Sequence, residues 1–135
     1  MASLADSLPA AYAAEAGVYR ELLAITREQG AILESGDGFD RCVSLFARKG
    51  ELLRSIMDVE AEIEPLKHRW WSEAVDTESH ARFNGLLDSI LATIDSTIEQ
   101  ERRNEELLLG LAALQQEDIE ALKRRCGALE APEAQ

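Results

Sequence analysis

Apolar residues recur along this chain at intervals of three and four, in three blocks separated by two breaks. Tyr12, Ala16, Tyr19, Leu23, Thr26 and Leu33 mark the first block, and Val18, Leu22, Ile25 and Ile32 widen its stripe enough to touch two neighbours. The spacing predicts a helix over 9–34, with Ser7 as its cap and Pro9 in the first turn, where proline is tolerated. Gly36-Asp37-Gly38 then ends it as a tight turn. The second block is the cleanest: Cys42, Leu45, Lys49, Leu52, Ile56, Val59, Ile63, Leu66 and Trp70 alternate by three and four, with Phe46 and Leu53 broadening the face. That pattern belongs to helices packed at shallow angles, and it predicts a helix over 39–71. Pro65 costs about 3 kcal/mol inside a helix, so a kink near Glu64 or a restarted turn is expected. The second break, Ser72 to Ser79, offers Asp76-Thr77 as caps for a third helix over 79–126. Lys123-Arg124-Arg125 suits a helix C-terminus, Gly127 reads as the stop, and Pro132 marks 127–135 as an irregular tail.

These elements predict an all-α fold: one domain over 1–135, an elongated antiparallel three-helix bundle or coiled-coil hairpin. Short connections make neighbouring helices antiparallel. At ~1.5 Å per residue the three helices measure about 40, 48 and 70 Å, so the third overhangs its partners by roughly 15 residues. Pairing the second and third helices back from the Trp70–Ser79 connector makes facing residue numbers sum to about 149. Cys42 then faces the region of Leu107, and Cys126 lies roughly 25 Å farther on, too far for a disulfide, which needs Cα atoms within about 7 Å. The same register sets Lys49 opposite Glu101, with Thr26 alongside, and predicts a shared polar layer; a surface lysine on a slightly rotated helix is the alternative. Tyr12, Tyr19, Trp70, Trp71 and Phe83 collect at the connector end as a packed plug, while Phe39 and Phe46 lie at the other.

Composition supports the helices. Ala, Glu, Leu, Lys and Arg make up 71 of the 135 residues, past the roughly 50% level of long helices and coiled coils. Only sixteen residues are Val, Ile or Thr, which excludes a β-sandwich or a parallel α/β sheet. A net charge of −12 works against nucleic acid and anionic membranes as partners. No apolar run approaches the ~18 residues of a membrane span, and Met1-Ala2-Ser3-Leu4-Ala5-Asp6 lacks the basic flank of a signal peptide, so a cytosolic location is expected.

Candidate chemistry is thin. His68 and His80 flank the connector near Glu73 and Asp76, but the paired Glu-x-x-His turns of a bundle metal site do not occur, so both read as solvated surface histidines. There is no phosphate loop, nucleophile elbow or zinc spacing, and Asp58, Glu60, Glu62 and Glu64 read as a solvated face. No catalytic residue, metal or cofactor is expected, and the chain reads as a binding protein rather than an enzyme.

The informative contrast lies in the third helix. Residues 99–106 are polar all round, whereas Leu107-Leu108-Leu109-Gly110-Leu111-Ala112-Ala113-Leu114 is apolar all round. A helix apolar on every side wants burial on every side, yet this stretch falls where few partners remain. Leu108, Leu111, Ala112, Gln115, Ile119 and Leu122 carry the stripe into the overhang. Such surface marks an interaction site, with the helix-in-groove mode the leading reading and self-association or a fold-back at Gly110 the others.

Tyr19-Arg20-Glu21-Leu22-Leu23, then Glu28, Leu33, Asp37, Phe46, Lys49 and Leu52-Leu53, resemble the front half of FlgN-type proteins. Arg103-Asn104-Glu105-Glu106-Leu107-Leu108 is similar to that family's Asn-x-x-Leu-Leu stretch on its long last helix. The likeness spans roughly 12–122, and Pro65 and Trp70-Trp71 depart from it. It implies a cytosolic chaperone of flagellar type III export that binds the C-terminal helices of hook–filament junction proteins and hands them to the export apparatus. The client site it implies runs from Asn104 onward, so that Asn104, Leu107, Leu108, Leu111, Ala112, Gln115, Ile119 and Leu122 are the expected partner-binding residues. The alternative is a coiled-coil adaptor or homodimerisation module with no export role.

Overall fold

A computed structural model describes residues 3–73 and 75–130, apart from the side chains of Gln115 and of residues 128–130. Three helices account for nearly all of it: α1 (Leu4–Ser35), α2 (Phe39–Ser72) and α3 (Thr77–Glu130). The all-α three-helix architecture expected from the spacing is the one observed, with no strand among the described residues. α1 is the helix on which both others pack, while α2 and α3 meet only through long side chains.

Several boundaries differ from expectation, each for a physical reason. α1 begins at Leu4, not Pro9, because Leu4 and Leu8 extend its buried stripe by two turns. Pro9 therefore sits inside the helix, and burial of those two leucines offsets the bond it removes. Ser3, rather than Ser7, occupies the cap position, and its hydroxyl donates to the Asp6 carboxylate at 2.8 Å. α2 runs unbroken through Pro65 to Ser72, so no turn restarts there; Ile63 and Trp70, fully buried on either side, hold the register. α3 passes Gly127 and continues to Glu130, and residues 131–135 of the expected tail, with Pro132, lie outside the described residues.

The two turns are built as their residues require. Gly36 (φ 74°) and Gly38 (φ 86°) both hold left-handed backbone that disfavours any Cβ, and the Gly36 N–H caps α1 by donating to the Ile32 carbonyl at 2.9 Å. Asp76 caps α3: its carboxylate accepts the Ser79 backbone N–H at 2.6 Å, and that bond holds its pKa below the ordinary value.

The core divides in two. At the connector end, Leu4, Leu8, Tyr12, Ala16, Ile63, Trp70, Phe83 and Ile90 form a cluster drawn from all three helices. Its rings meet edge-on or tilted, with centroids 5.2 Å apart for Tyr12–Phe83 and 4.8 Å for Trp70–Phe83. Tyr19 packs partly buried beside it, but Trp71 is 78% exposed and does not belong to the plug. His80 is half-buried and lies edge-on against Trp70, centroids 5.0 Å apart, whereas His68 is exposed beside Glu64. Farther along, Leu22, Ile25, Leu45, Leu52 and Ile56 form a second cluster drawn from α1 and α2 alone. A carboxylate joins the α1–α2 seam: Glu15 is buried and faces Glu60, itself half-buried rather than solvated.

Candidate functional site: an apolar groove between α2 and α3

In the half where α3 contributes nothing to the apolar core, it holds α1 through polar side chains. The single proton of the Thr26 hydroxyl is shared between the Leu22 carbonyl at 2.8 Å and the Glu101 carboxylate at 3.3 Å. Lys49 reaches across from α2, pairing with Glu101 and donating to the Gln29 side-chain oxygen at 3.1 Å. Asn104 donates to the Thr26 carbonyl at 2.9 Å and accepts from the Gln100 amide at the same distance. The polar layer predicted from Lys49, Glu101 and Thr26 is thus present, widened by Gln29, Gln100 and Asn104.

Gly30 makes the close approach possible. A Cβ there would stand 2.5 Å from Gln100 Nε2 and 2.7 Å from Asn104 Oδ1, so only glycine leaves room for this pair against α1. Held to α1 in this way, α3 stands off from α2. The gap is a groove of about 760 Å³ whose floor is Gln29 and Leu33 of α1. Phe39, Cys42, Val43 and Phe46 of α2 line one wall, and Thr97, Ile98, Glu101, Asn104, Glu105 and Leu108 of α3 the other. Phe39, Val43 and Phe46 are 47%, 69% and 59% exposed, so the α2 wall is an apolar face with nothing on it. The stripe continues along α2 through Leu53 and Met57, both exposed. Lys49, paired with Glu101 across α2 and α3, lies 5.5 Å from the Phe46 ring centroid.

Beyond the groove, α3 runs on alone. Tyr12–Phe83 and Gly30–Asn104 contacts make α1 and α3 parallel and bring the end of α1 level with about residue 109, so roughly 20 residues project past the body, about 30 Å. Every described side chain from Leu108 to Gly127 is exposed, including Leu108, Leu109, Leu111, Leu114, Ile119 and Leu122.

The expected binding residues separate into two groups. Leu108 lines the groove, and Leu111, Ala112, Ile119 and Leu122 are open on the overhang, while the side chain of Gln115 lies outside those described. Leu107 is half-buried. Asn104 also lines the groove, but it is 4% exposed and its amide is spent on Thr26 and Gln100, so its structural part is to fasten α3 to α1. Missing from the expected set is the whole α2 wall. Its signal was the second stripe, Phe39, Val43, Phe46, Leu53 and Met57, offset by one residue from the buried one.

Cys42 is buried and Cys126 exposed, both free. Among the described residues, no group of three metal-ligating side chains gathers, and no helix is long and apolar enough to cross a membrane. No family model matches the chain, and no curated protein or solved structure matches it.

Proposed function

We propose that the chain is a cytosolic chaperone of flagellar type III export, acting by binding rather than by catalysis. It would hold a C-terminal amphipathic helix of a hook–filament junction protein until handover to the export apparatus. The observation that carries the reading is the unfilled α2–α3 groove, continued by the bare apolar stripe of α3. A helix laid in it would touch α1, α2 and α3 at once and complete a four-helix arrangement, the helix-in-groove mode. The resemblance of Tyr19–Leu53 and Arg103–Leu108 to FlgN-type proteins supplies the class of client. An acidic body suits the task, because net charge keeps the complex soluble while apolar burial supplies affinity.

The test is titration of a purified junction protein into the wild-type chain, a chain truncated after Arg103, and the Leu108→Glu, Leu111→Glu double variant. Binding to wild type, lost in both altered chains with the double variant's helicity intact, supports the reading. Equal affinity across the three chains refutes the site. Absence of binding to wild type refutes the client and favours the adaptor alternative.

A further inference from the structure

The wall of the α2–α3 groove carries one charge that the fold leaves unused. Lys49 and Glu101 pair with each other, and Arg102 pairs with Glu99 at 3.4 Å. Glu105 lines the same groove, yet it is exposed and, among the described residues, without an ion-pair partner. Its surroundings are apolar. Ile98 stands two turns before it on α3 and Leu108 one turn after. The Lys49–Glu101 pair sets the register between the walls, and one turn farther on it brings Glu105 level with Phe46 of α2.

α2 shapes the seat. Phe39, Val43, Phe46, Gly50, Leu53 and Met57 are spaced four, three, four, three, four, the stripe on which a further helix packs at a shallow angle. It runs for about 27 Å, so the seat takes about five turns of helix. Nothing lies within 4 Å of where a Cβ of Gly50 would stand, which leaves a hole in the stripe for a large apolar side chain.

We propose that the occupant of this groove is an amphipathic helix of about five turns whose apolar face is broken once, by a lysine or arginine that meets Glu105 and Phe46. The inference rests on the groove being the client's seat and adds what selects the client. A helix laid there takes Glu105 out of water, and a carboxylate covered by an apolar face is unfavourable unless a cation meets it. Leucine at that level strands the charge, and an acid sets like against like. Lysine or arginine pairs with Glu105 while its stem lies on the Phe46 ring. Lys49, neutralised by Glu101, already sits 5.5 Å from that ring's centroid and leaves the ring 59% exposed for a second cation. Asn104, next to Glu105 in the chain, is bonded to the Thr26 carbonyl of α1, which fixes the carboxylate's station on the wall. The chain's net charge of −12 favours the same sign of partner.

The test uses the full chain and synthetic helical peptides of about 22 residues, identical except for Lys, Leu or Glu at the central position of the apolar face. Central placement lets a peptide seat in either direction, and affinities are read by calorimetry. Wild type should bind the Lys peptide about tenfold more tightly than the Leu peptide, and the Glu peptide most weakly. Glu105→Lys should reverse the order of the Lys and Glu peptides, and Glu105→Leu should prefer the Leu peptide. Both variants should unfold near the wild-type temperature, because Glu105 is exposed. Equal affinity of the three peptides for wild type, or an order unchanged by Glu105→Lys, overturns the charge selection while the groove stands as the seat. Binding of none of the peptides to wild type overturns the groove and this inference together.

Discussion

Glu15 gives this protein a stability that should fall as the solution becomes more alkaline. Its side chain is 3% exposed, Oε2 has no hydrogen-bond partner, and its pKa is pushed up to about 7. Burial is the largest cause, followed by a shared proton and charge repulsion with Glu60 across the α1–α2 seam, with Lys67 acting weakly the other way. Tyr12 and Tyr19 are pushed up in the same neighbourhood, first by burial and then by these carboxylates. Between the ordinary value of 4.5 and about 7 the folded chain holds a proton at Glu15 that the unfolded chain has released. Stability from this site is therefore complete below pH 4.5 and is lost as pH rises through 7. At about 1.4 kcal/mol per unit, the loss by pH 8 is about 3 kcal/mol, a sizeable part of a small domain's total. Glu15→Gln keeps the shape and removes the titration. Urea unfolding at pH 5, 6.5 and 8 should show the wild type weakening by about 3 kcal/mol more than the variant across that range, with the variant the more stable at pH 8. Titrations of groups that do not face Glu15 are common to both proteins and cancel in the difference, so the difference reports the Glu15–Glu60 pair. Parallel pH profiles for the two would refute a buried, protonated Glu15.

The glycines offer a contrast in size. Gly30→Ala should gain nothing or lose up to about 1 kcal/mol, because the new Cβ must turn the tips of Gln100 and Asn104 aside, and their lost bonds offset its better helix propensity. Gly85→Ala and Gly110→Ala, with open space around them, should each raise it by about 0.5–1 kcal/mol, all read from thermal or urea unfolding. Asn104→Leu should cost about 1 kcal/mol by removing the second donor to the Thr26 carbonyl and the acceptor of the Gln100 amide, which separates its structural role from that of exposed Leu108.

Much of this organisation was legible in the residues. Lys49 interrupting an otherwise apolar stripe, with Glu101 at the facing position, is a signal that survives without coordinates, because helical period and connector length fix the register. The buried stripe of α2 from Cys42 to Trp70 was legible for the same reason. What escaped depended on which face a residue takes. Two apolar stripes on α2, offset by one residue, merge in sequence into one broad face, so Phe46 and Leu53 read as core when they are exposed. Asn104 sits beside Leu107-Leu108 in the chain, yet a helical turn directs its amide at the Thr26 carbonyl of α1. Glu15 and Gly30 carry no local mark of their surroundings: one reads as an ordinary surface acid and the other as a helix weakener. Pro9 and Gly127 were read as punctuation, but Leu4 and Leu8 carried the helix across the first, and α3 simply continued past the second.

The central claim is that a partner helix fills the space between α2 and α3. Its most direct measurement is methyl NMR of the full chain titrated with a synthetic C-terminal helix of a junction protein. The account predicts that the methyl signals of Val43, Ile98, Leu108 and Leu111 shift together, while those of Leu8 and Ile63 at the connector end stay in place. Shifts confined to the connector end, or none at saturating peptide, would contradict it.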